Sequence, residues 1–375
     1  MKMKLVYMLL VAMTVLSCQN RKQTVAQKEV STVDTVLQAK VAEILKDKMK
    51  EIGALYGQAI VMEVQTGEVK AIVAIDSTFQ QTADLAPSQE TGLMHCVSLL
   101  AALESGKVKY ADTLDTKIGQ RLYKGNIVKD ANWQRGGWGK LTVAQGIMSN
   151  SNISTIIEVE KAYGKVPKEF YRQLRRMSYG EPSQIRGIEN LEQAMFLSPD
   201  STQWERDILG YSATGCYQRI APIQILAFYN AIANNGRMIK PILYKGEIET
   251  INPQIASKSN IDSLRQALAS NVIYGLGRAA KSEKVSVAGI QGTCQISVED
   301  DTTEDKSNTE YVAEFCGYFP TVNPQYSMIV SINKKGLPVS GGLMAGDVFR
   351  KVVDNILFFN NHRIVSKMKR KSNKI

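Results

Sequence analysis

Apolar and polar residues follow two different periods at the start of this chain, and each period predicts one type of secondary structure. Apolar residues recur at helical spacing over residues 36–57, which contain Gly53 and Gly57 near their end. Residues 58–75 instead hold two β-branched runs around Gln65-Thr66-Gly67. Such a pattern predicts two strands joined by a tight turn.

The middle of the chain is mainly helical in pattern. An apolar stripe over residues 93–103, followed by Gly106 as a natural stop, predicts one helix. Residues 141–163 predict two helical pieces joined by a polar stretch, and residues 221–241 predict a helix that ends at Asn-Asn-Gly. The stripe consists of Leu93, Cys96, Val97, Leu100 and Leu103.

Strand patterns return towards the C-terminus. Residues 284–298, 311–320 and 326–335 predict three strands, and a closing helix is expected from about Gly346 to Phe358. Together with the first hairpin, these strands make an antiparallel five-stranded sheet flanked by helices, with a mainly helical subdomain between them. The predicted fold class is therefore α/β, of the α+β kind.

The first twenty residues have the layout of an export signal. Lys2 and Lys4 precede an apolar run from Leu5 to Leu16, which is typical of a secretory signal and too short for a membrane-spanning helix. The run ends in "VLSC", which resembles the lipobox of bacterial lipoproteins. Residues 1–17 are expected to be a lipoprotein signal peptide, and residues 18–35 a flexible tether from a lipidated Cys18. A plain signal peptide that happens to contain a cysteine is the alternative.

Charge and cysteines add little chemistry to this picture. The chain has 375 residues and a net charge of +10, much of it in a basic tail over 361–375, which is interpreted as solvated or as a contact for anionic lipid or polymer. Nucleic acid is not an expected partner of an exported protein. Four cysteines in apolar surroundings are interpreted as buried free thiols, with disulfide pairing left open. They are Cys96, Cys216, Cys294 and Cys316.

No metal or cofactor is expected from the sequence. The only two histidines, His95 and His362, are far apart, and no carboxylates cluster around either. The acidic run over 299–305 lacks the glycine and the final glutamate of a calcium loop, and it is interpreted as a solvated hairpin tip.

Several landmarks occur in an order that resembles the transpeptidase domain of class B penicillin-binding proteins. The resemblance extends over about residues 50–358 and implies the β-lactamase and transpeptidase-like fold for a domain over 36–360. It also implies a link to peptidoglycan synthesis, since that family cuts a D-alanyl-D-alanine stem peptide and joins the acyl group to a neighbouring strand. The landmarks are "VMEVQTGEVKAIVA", "LLAALESGKV", "LTVAQGIMSNSN", "FYNAIANNGRMIKP", "VAGIQGTCQ" and "FCGYFPTVNPQYSMIVSI".

The resemblance also places the family's first motif, Ser-x-x-Lys, on this chain. Counting back from "AALESG" puts Gly92 at the nucleophilic serine and His95 at the lysine base. Glycine has no side-chain oxygen, so no acyl-enzyme is expected there. The resemblance further implies an oxyanion hole made by the backbone N–H groups of Gly92 and Thr293.

The second and third motifs are also altered. Ser-x-Asn aligns with Asn150, Ser151 and Asn152, so only the asparagine is kept. Lys-Thr-Gly aligns with Ile290, Gln291 and Gly292, which removes the cation that pairs with the substrate carboxylate. With three altered motifs on a recognisable scaffold, the chain is expected to be a pseudoenzyme.

The expected role is that of a scaffold, a regulator or a muropeptide binder in the bacterial cell envelope. The protein would be anchored through Cys18, face the periplasm and meet peptidoglycan fragments or other cell-wall synthesis and division proteins. The alternative is an active transpeptidase or an acyl or peptide hydrolase with a non-standard nucleophile. Thr91 and His95, four residues apart on one helix, are the candidate nucleophile and base.

Overall fold

An antiparallel β-sheet forms the centre of the fold. The structure is a computed structural model that describes residues 29–197, 199, 208–296 and 308–356. Contacts divide the chain into a unit up to Ser31 and a unit from Thr32, and every helix and sheet strand of the described residues lies in the second. The strands in chain order are β1 (Tyr56–Glu63), β2 (Val69–Ile75), β3 (Gln81–Thr82), β4 (Thr113–Asp115), β5 (Gln120–Tyr123), β6 (Asn126–Lys129), β7 (Lys140–Thr142), β8 (Met195–Phe196), β9 (Gln218–Arg219), β10 (Met238–Ile239), β11 (Thr250–Asn252), β12 (Ala288–Gln295), β13 (Glu310–Phe319) and β14 (Tyr326–Lys335).

Helices account for most of the chain between the first hairpin and the last three strands. Short 3₁₀ turns occupy Trp133–Arg135 and Arg278–Ala280, and a π-helical turn at Gly342–Gly346 leads into the last helix. The α-helices are α1 (Thr35–Ile52), α2 (Met94–Glu104), α3 (Val143–Met148), α4 (Asn152–Tyr163), α5 (Lys168–Arg176), α6 (Ile208–Thr214), α7 (Pro222–Ala233), α8 (Lys258–Tyr274) and α9 (347–356).

The central sheet has the strand order β12, β13, β14, β1, β2, β3, and every neighbouring pair is antiparallel. Its five long strands are those that the sequence predicts, so the predicted fold class is confirmed. The sixth, β3, was not expected: it is two residues long and pairs only with the end of β2. Such a short edge strand carries no alternating pattern from which it could be read.

Each face of the sheet packs against its own group of helices. Along β1, Ile60 and Met62 point into one core, whereas Ala59 and Val61 point into the other. Alternate residues of a strand face opposite sides, so this pattern requires apolar cover on both. Helices α2, α7 and α8 contribute to the first core, and α1 and α9 contribute to the second.

The predicted helices are present, but α2 differs from the expectation in its burial. The two pieces over 141–163 are α3 and α4, and the helix before Asn-Asn-Gly is α7. The residues of the predicted apolar stripe are buried, and burial extends beyond the stripe to every residue from Met94 to Leu103. The helix lies between the sheet and the helical subdomain, and therefore no side of it faces water.

Several sequence-based expectations fall outside the described residues. They concern the signal peptide over 1–17, Cys18, the tether up to residue 28, the acidic run over 299–305 and the basic tail with His362. Within the described ranges, none of the helices has the length and apolar character needed to cross a lipid bilayer.

Candidate functional site

The three altered motifs meet at one cleft. The beginning of α2, the junction between α3 and α4, and the edge strand β12 surround a cavity of about 930 Å³. The cleft is therefore assembled from segments that are almost 200 residues apart in the chain. Its lining includes five of the residues that the sequence singles out: His95, Asn150, Asn152, Gln291 and Thr293.

Gly92 lies directly against β12 and leaves no space for a side chain. A Cβ atom on Gly92 would stand 2.4 Å from the Thr293 backbone nitrogen and 2.8 Å from the Gly292 Cα. A Cβ on Gly292 would in turn stand 2.6 Å from the Gly92 carbonyl carbon. The two glycines thus allow the backbone just before α2 to contact the backbone of β12. A side chain at either position would force the two backbones apart.

A buried carboxyl group lies beneath this contact. Glu314, in the middle of β13, pairs with Gly292 on one side and Ser331 on the other, and it is fully buried. Burial raises the pKa of Glu314 to about 7, while hydrogen bonds from the Thr91 hydroxyl and the Gly92 backbone N–H oppose the shift. Above this carboxyl group, the close contact of Gly92 with Thr293 leaves no room for an acyl group carried on residue 92.

Thr91 and His95 are not brought together. The Thr91 hydroxyl is fully buried, donates to Glu314 Oε2 at 2.6 Å and accepts from the Leu93 N–H at 3.1 Å. A threonine hydroxyl near a helix start ordinarily accepts from backbone N–H groups, and one such bond is present. The hydroxyl proton goes to Glu314, and none of the hydrogen bonds of Thr91 or His95 joins the hydroxyl to the imidazole.

Both ring nitrogens of His95 lie within hydrogen-bonding distance of cleft residues, and neither partner is a nucleophile. Its Nδ1 lies 3.1 Å from the Gly92 carbonyl oxygen, and its Nε2 lies 2.9 Å from Asn152 Oδ1. A neutral imidazole can donate to only one of these two acceptors. Burial lowers the pKa of His95, against the opposing effect of the bonds to Asn152 and Gly92. The Asn152 amide also donates to the Lys129 carbonyl at 3.0 Å, so both of its ends have partners within the protein.

The junction between α3 and α4 is built around Asn150 and Ser151. Asn150 adopts φ 48°, a left-handed conformation that asparagine tolerates better than most residues. Ser151 caps α4 by accepting from the Ser154 N–H, and its hydroxyl donates to Asp130 Oδ2 at 2.8 Å. Neither residue offers a hydroxyl to the cleft, because Asn150 has none and that of Ser151 is buried.

On β12, the residue that the sequence aligns with the family's lysine is part of the hydrophobic core. Ile290 is completely buried and contributes to the core on the α2 side of the sheet. Gln291 lines the cleft, and its side-chain oxygen accepts from the Asn271 amide at 3.0 Å. The Thr293 hydroxyl accepts from the Gly341 N–H at 3.0 Å. No side chain of this strand brings a positive charge to the cleft.

Two cations outside the motifs do reach the cleft. Lys129, at the end of β6, lies 4.3 Å from the centre of the Trp133 ring, and Arg278 follows α8. Both are exposed, and within the described residues neither makes an ion pair. Their side chains can therefore meet a negatively charged ligand.

Sequence reasoning missed these two cations and Glu314. Glu314 had a usable signal, because it is the one charged residue inside the apolar run "YVAEFCGYF". A charge in the middle of a predicted buried strand indicates a special environment. Lys129 and Arg278 had no such signal, since surface lysines and arginines are common along the whole chain.

Of the four thiols that the sequence predicts to be buried, two are buried and two are not. Cys96 and Cys316 are completely buried, as predicted. Cys216 and Cys294 are only partly buried and line the cleft. Apolar neighbours in sequence do not determine burial here, because Cys216 lies in a loop and Cys294 near the end of an edge strand.

Comparisons with known proteins agree with this geometry. Residues 57–354 match the family model described as the penicillin-binding protein transpeptidase domain. Among curated proteins, the chain is 24% identical to penicillin-binding protein PbpB of Mycolicibacterium smegmatis, covering 92% of this chain and 57% of that protein. It is 22% identical to the probable peptidoglycan D,D-transpeptidase PenA of Neisseria flavescens, covering 92% of this chain and 82% of that protein.

Solved structures of similar fold include transpeptidase domains. The apo transpeptidase domain of Burkholderia pseudomallei penicillin-binding protein 3 aligns with a TM-score of 0.76 at 23% identity, over 90% of this chain and 97% of that one. Apo penicillin-binding protein 3 of Mycobacterium tuberculosis aligns with a TM-score of 0.73 at 21% identity, over 89% and 79% of the two chains. The chain spans about half the length of the first curated relatives, 57% of PbpB and 41% of stage V sporulation protein D of Bacillus subtilis.

Proposed function

Because this chain belongs to the penicillin-binding protein transpeptidase domain family, we propose that it serves peptidoglycan synthesis as a binding protein without acyl-transfer activity. Its cleft would hold a stem peptide or a muropeptide, and the protein would act as a scaffold or regulator of other cell-wall synthesis or division proteins. The predicted export signal and the lipobox at Cys18 support an anchored position in the cell envelope, facing the periplasm.

The observation that carries this proposal is the contact of Gly92 with β12. A covalent mechanism needs a nucleophilic oxygen or sulfur at that position together with a base. Gly92 has no such atom, and the Thr293 nitrogen would be 2.4 Å from the first atom of any side chain placed there. His95, at the place of the base, already has its two ring nitrogens directed at Gly92 and Asn152.

The charges of the cleft support binding of a carboxylate. Lys129 and Arg278 line it, and Asp130, the acidic residue of the same lining, is buried and bonded to Ser151. Burial also raises the pKa of Asp130. A peptide that ends in a free carboxylate would therefore meet two exposed cations, and no exposed acidic residue among those that line the cleft.

Calorimetry with a stem peptide that ends in D-alanyl-D-alanine tests the proposal. We expect binding of the free acid, weaker binding of the same peptide with an amidated C-terminus, and no release of D-alanine. Ala131→Trp, which fills the cleft wall, should weaken binding, whereas Ala39→Trp on the exposed side of α1 should not. Absence of binding, or binding that Ala131→Trp leaves unchanged, would contradict the role of the cleft.

The alternative hypothesis, a hydrolase that uses Thr91 and His95, has less support. The Thr91 hydroxyl is committed to Glu314, and no contact joins it to the imidazole. An enzyme of that kind would lose turnover of acyl or peptide substrates in both Thr91→Val and His95→Ala. Turnover that survives both substitutions would eliminate this alternative.

A further inference from the structure

Two cysteines from distant parts of the chain face each other in the cleft. Cys216 follows α6, and Cys294 lies near the end of β12, 78 residues later. Both are partly buried and line the same cavity, and each thiol changes the pKa of the other. The fold thus brings together one pair of accessible thiols.

Glu90 holds the two segments in this arrangement. Its Oε1 accepts from the Tyr217 N–H at 2.9 Å, and its Oε2 lies 3.9 Å from the Cys294 Sγ. The loop before Cys216 is also packed closely, because a Cβ on Gly215 would stand only 1.8 Å from the Thr91 carbonyl oxygen. The loop that carries Cys216 is therefore packed against residues 90 and 91, and Glu90 in turn contacts the Cys294 thiol.

The pair also differs in acidity, as thiols that exchange disulfides commonly do. The hydrogen bond between them lowers the pKa of Cys216 and raises the pKa of Cys294 well above its usual value. Since the thiolate is the attacking species in thiol–disulfide exchange, Cys216 is the thiol that reacts first.

We propose that Cys216 and Cys294 form a reversible disulfide that ties the loop after α6 to the edge strand β12 along the wall of the cleft. The oxidant is a disulfide donor, either a small molecule or a protein. The Cys216 thiolate attacks one donor sulfur and expels the other as a thiol, which leaves a mixed disulfide. The Cys294 thiolate then attacks the Cys216 sulfur and releases the second donor thiol. The two cysteines lose two protons and two electrons, and the donor disulfide becomes two thiols.

This cross-link would change the geometry of the cleft wall, and it would play no part in acylation chemistry. Oxidation fixes the distance between the α6 loop and β12, whereas reduction leaves both thiols facing the cavity. The proposal does not depend on peptide binding, so a negative result in calorimetry leaves it open to its own test.

Peptide mapping of the full chain in a glutathione buffer provides that test. After equilibration with oxidised or reduced glutathione, free thiols are alkylated in denaturant and the protein is digested with trypsin. Each cysteine falls on a different tryptic peptide, 207–219 for Cys216 and 285–306 for Cys294. We expect these two peptides to be linked, with the mass of two hydrogen atoms missing, after oxidation only. Cys96→Ala should keep the link, and both Cys216→Ser and Cys294→Ser should lose it.

Thermal unfolding gives an independent readout. Oxidation should raise the Tm of the unmodified protein and of Cys96→Ala by several degrees, and it should leave the Tm of Cys216→Ser unchanged. Full alkylation of Cys216 and Cys294 after oxidation would overturn the proposal, and so would a link from either of them to Cys96 or Cys316.

Discussion

Single residues decide whether this cleft can support covalent chemistry. Gly92 and Gly292 allow two backbones to touch, and Glu314 receives the hydrogen bond of the Thr91 hydroxyl beneath them. The imidazole of His95 is bonded on both sides. Restoring one missing group would leave the other obstacles in place, so the proposed loss of acylation would follow from the packing at Gly92 as well as from the missing serine.

The close contact at Gly92 predicts a large effect of a small side chain. Gly92→Ala should lower the free energy of unfolding by about 1–3 kcal/mol, because the added methyl group meets the Thr293 nitrogen. Gly246→Ala is the matched control, since a Cβ there has only the Tyr244 carbonyl oxygen nearby, at 4.0 Å. Urea unfolding should place the control within about 0.5 kcal/mol of the unmodified protein. Equal effects of the two substitutions would contradict the close contact, because they would show that a methyl group fits at residue 92.

Glu314 predicts a pH dependence of stability. Its pKa is raised from 4.5 to about 7, so between these values the folded protein keeps a proton that the unfolded chain has released. The free energy of unfolding should therefore fall as the pH rises from 4.5 to 7, by up to about 3 kcal/mol from this group. Glu158, whose pKa burial raises to about 8, adds a slope of the same sign.

Comparison with Glu314→Gln isolates this contribution. Urea midpoints of the two proteins across the same pH range should diverge, with the substituted protein losing less stability as the pH rises. Glu158 is present in both, so its effect cancels in the difference. Parallel curves would mean that folding does not raise the pKa of Glu314.

At the scale of elements, periodicity predicted most of the scaffold. The β1–β2 hairpin, the α3–α4 pair, α7 and the last three strands all occur where the sequence indicates. What it could not predict depends on tertiary contacts. The edge strand β3 is too short for a pattern, β4 to β7 lie in an irregular stretch, and α2 is buried on all sides because two layers of the fold enclose it.

The α3–α4 junction predicts a conformational preference at Asn150. Its φ of 48° favours residues that enter the left-handed region at low cost. Asn150→Gly should leave the free energy of unfolding nearly unchanged, whereas Asn150→Val should lower it by about 1–2 kcal/mol. Urea unfolding of the two variants measures this, and a tolerated valine would contradict the left-handed geometry at the place of the family's motif serine.

For the whole molecule, the order of landmarks along the sequence was sufficient to identify the fold, and it predicted where the three altered motifs lie along the chain. The sequence could not give the spatial relations between them. The approach of Gly92 to β12, the pairing of Thr91 with Glu314, and the meeting of Cys216 with Cys294 all join segments far apart in the chain. Such contacts are set by packing of the folded chain and leave no local pattern.

We propose that this transpeptidase fold forms no acyl-enzyme at residue 92. Intact mass spectrometry after incubation with a penicillin in excess tests it most directly, on the unmodified protein and on Gly92→Ser. We expect neither protein to gain the mass of the opened β-lactam, since the first has no nucleophile and the second has neither space nor a free base beside it. A stable adduct on the unmodified protein would contradict the account.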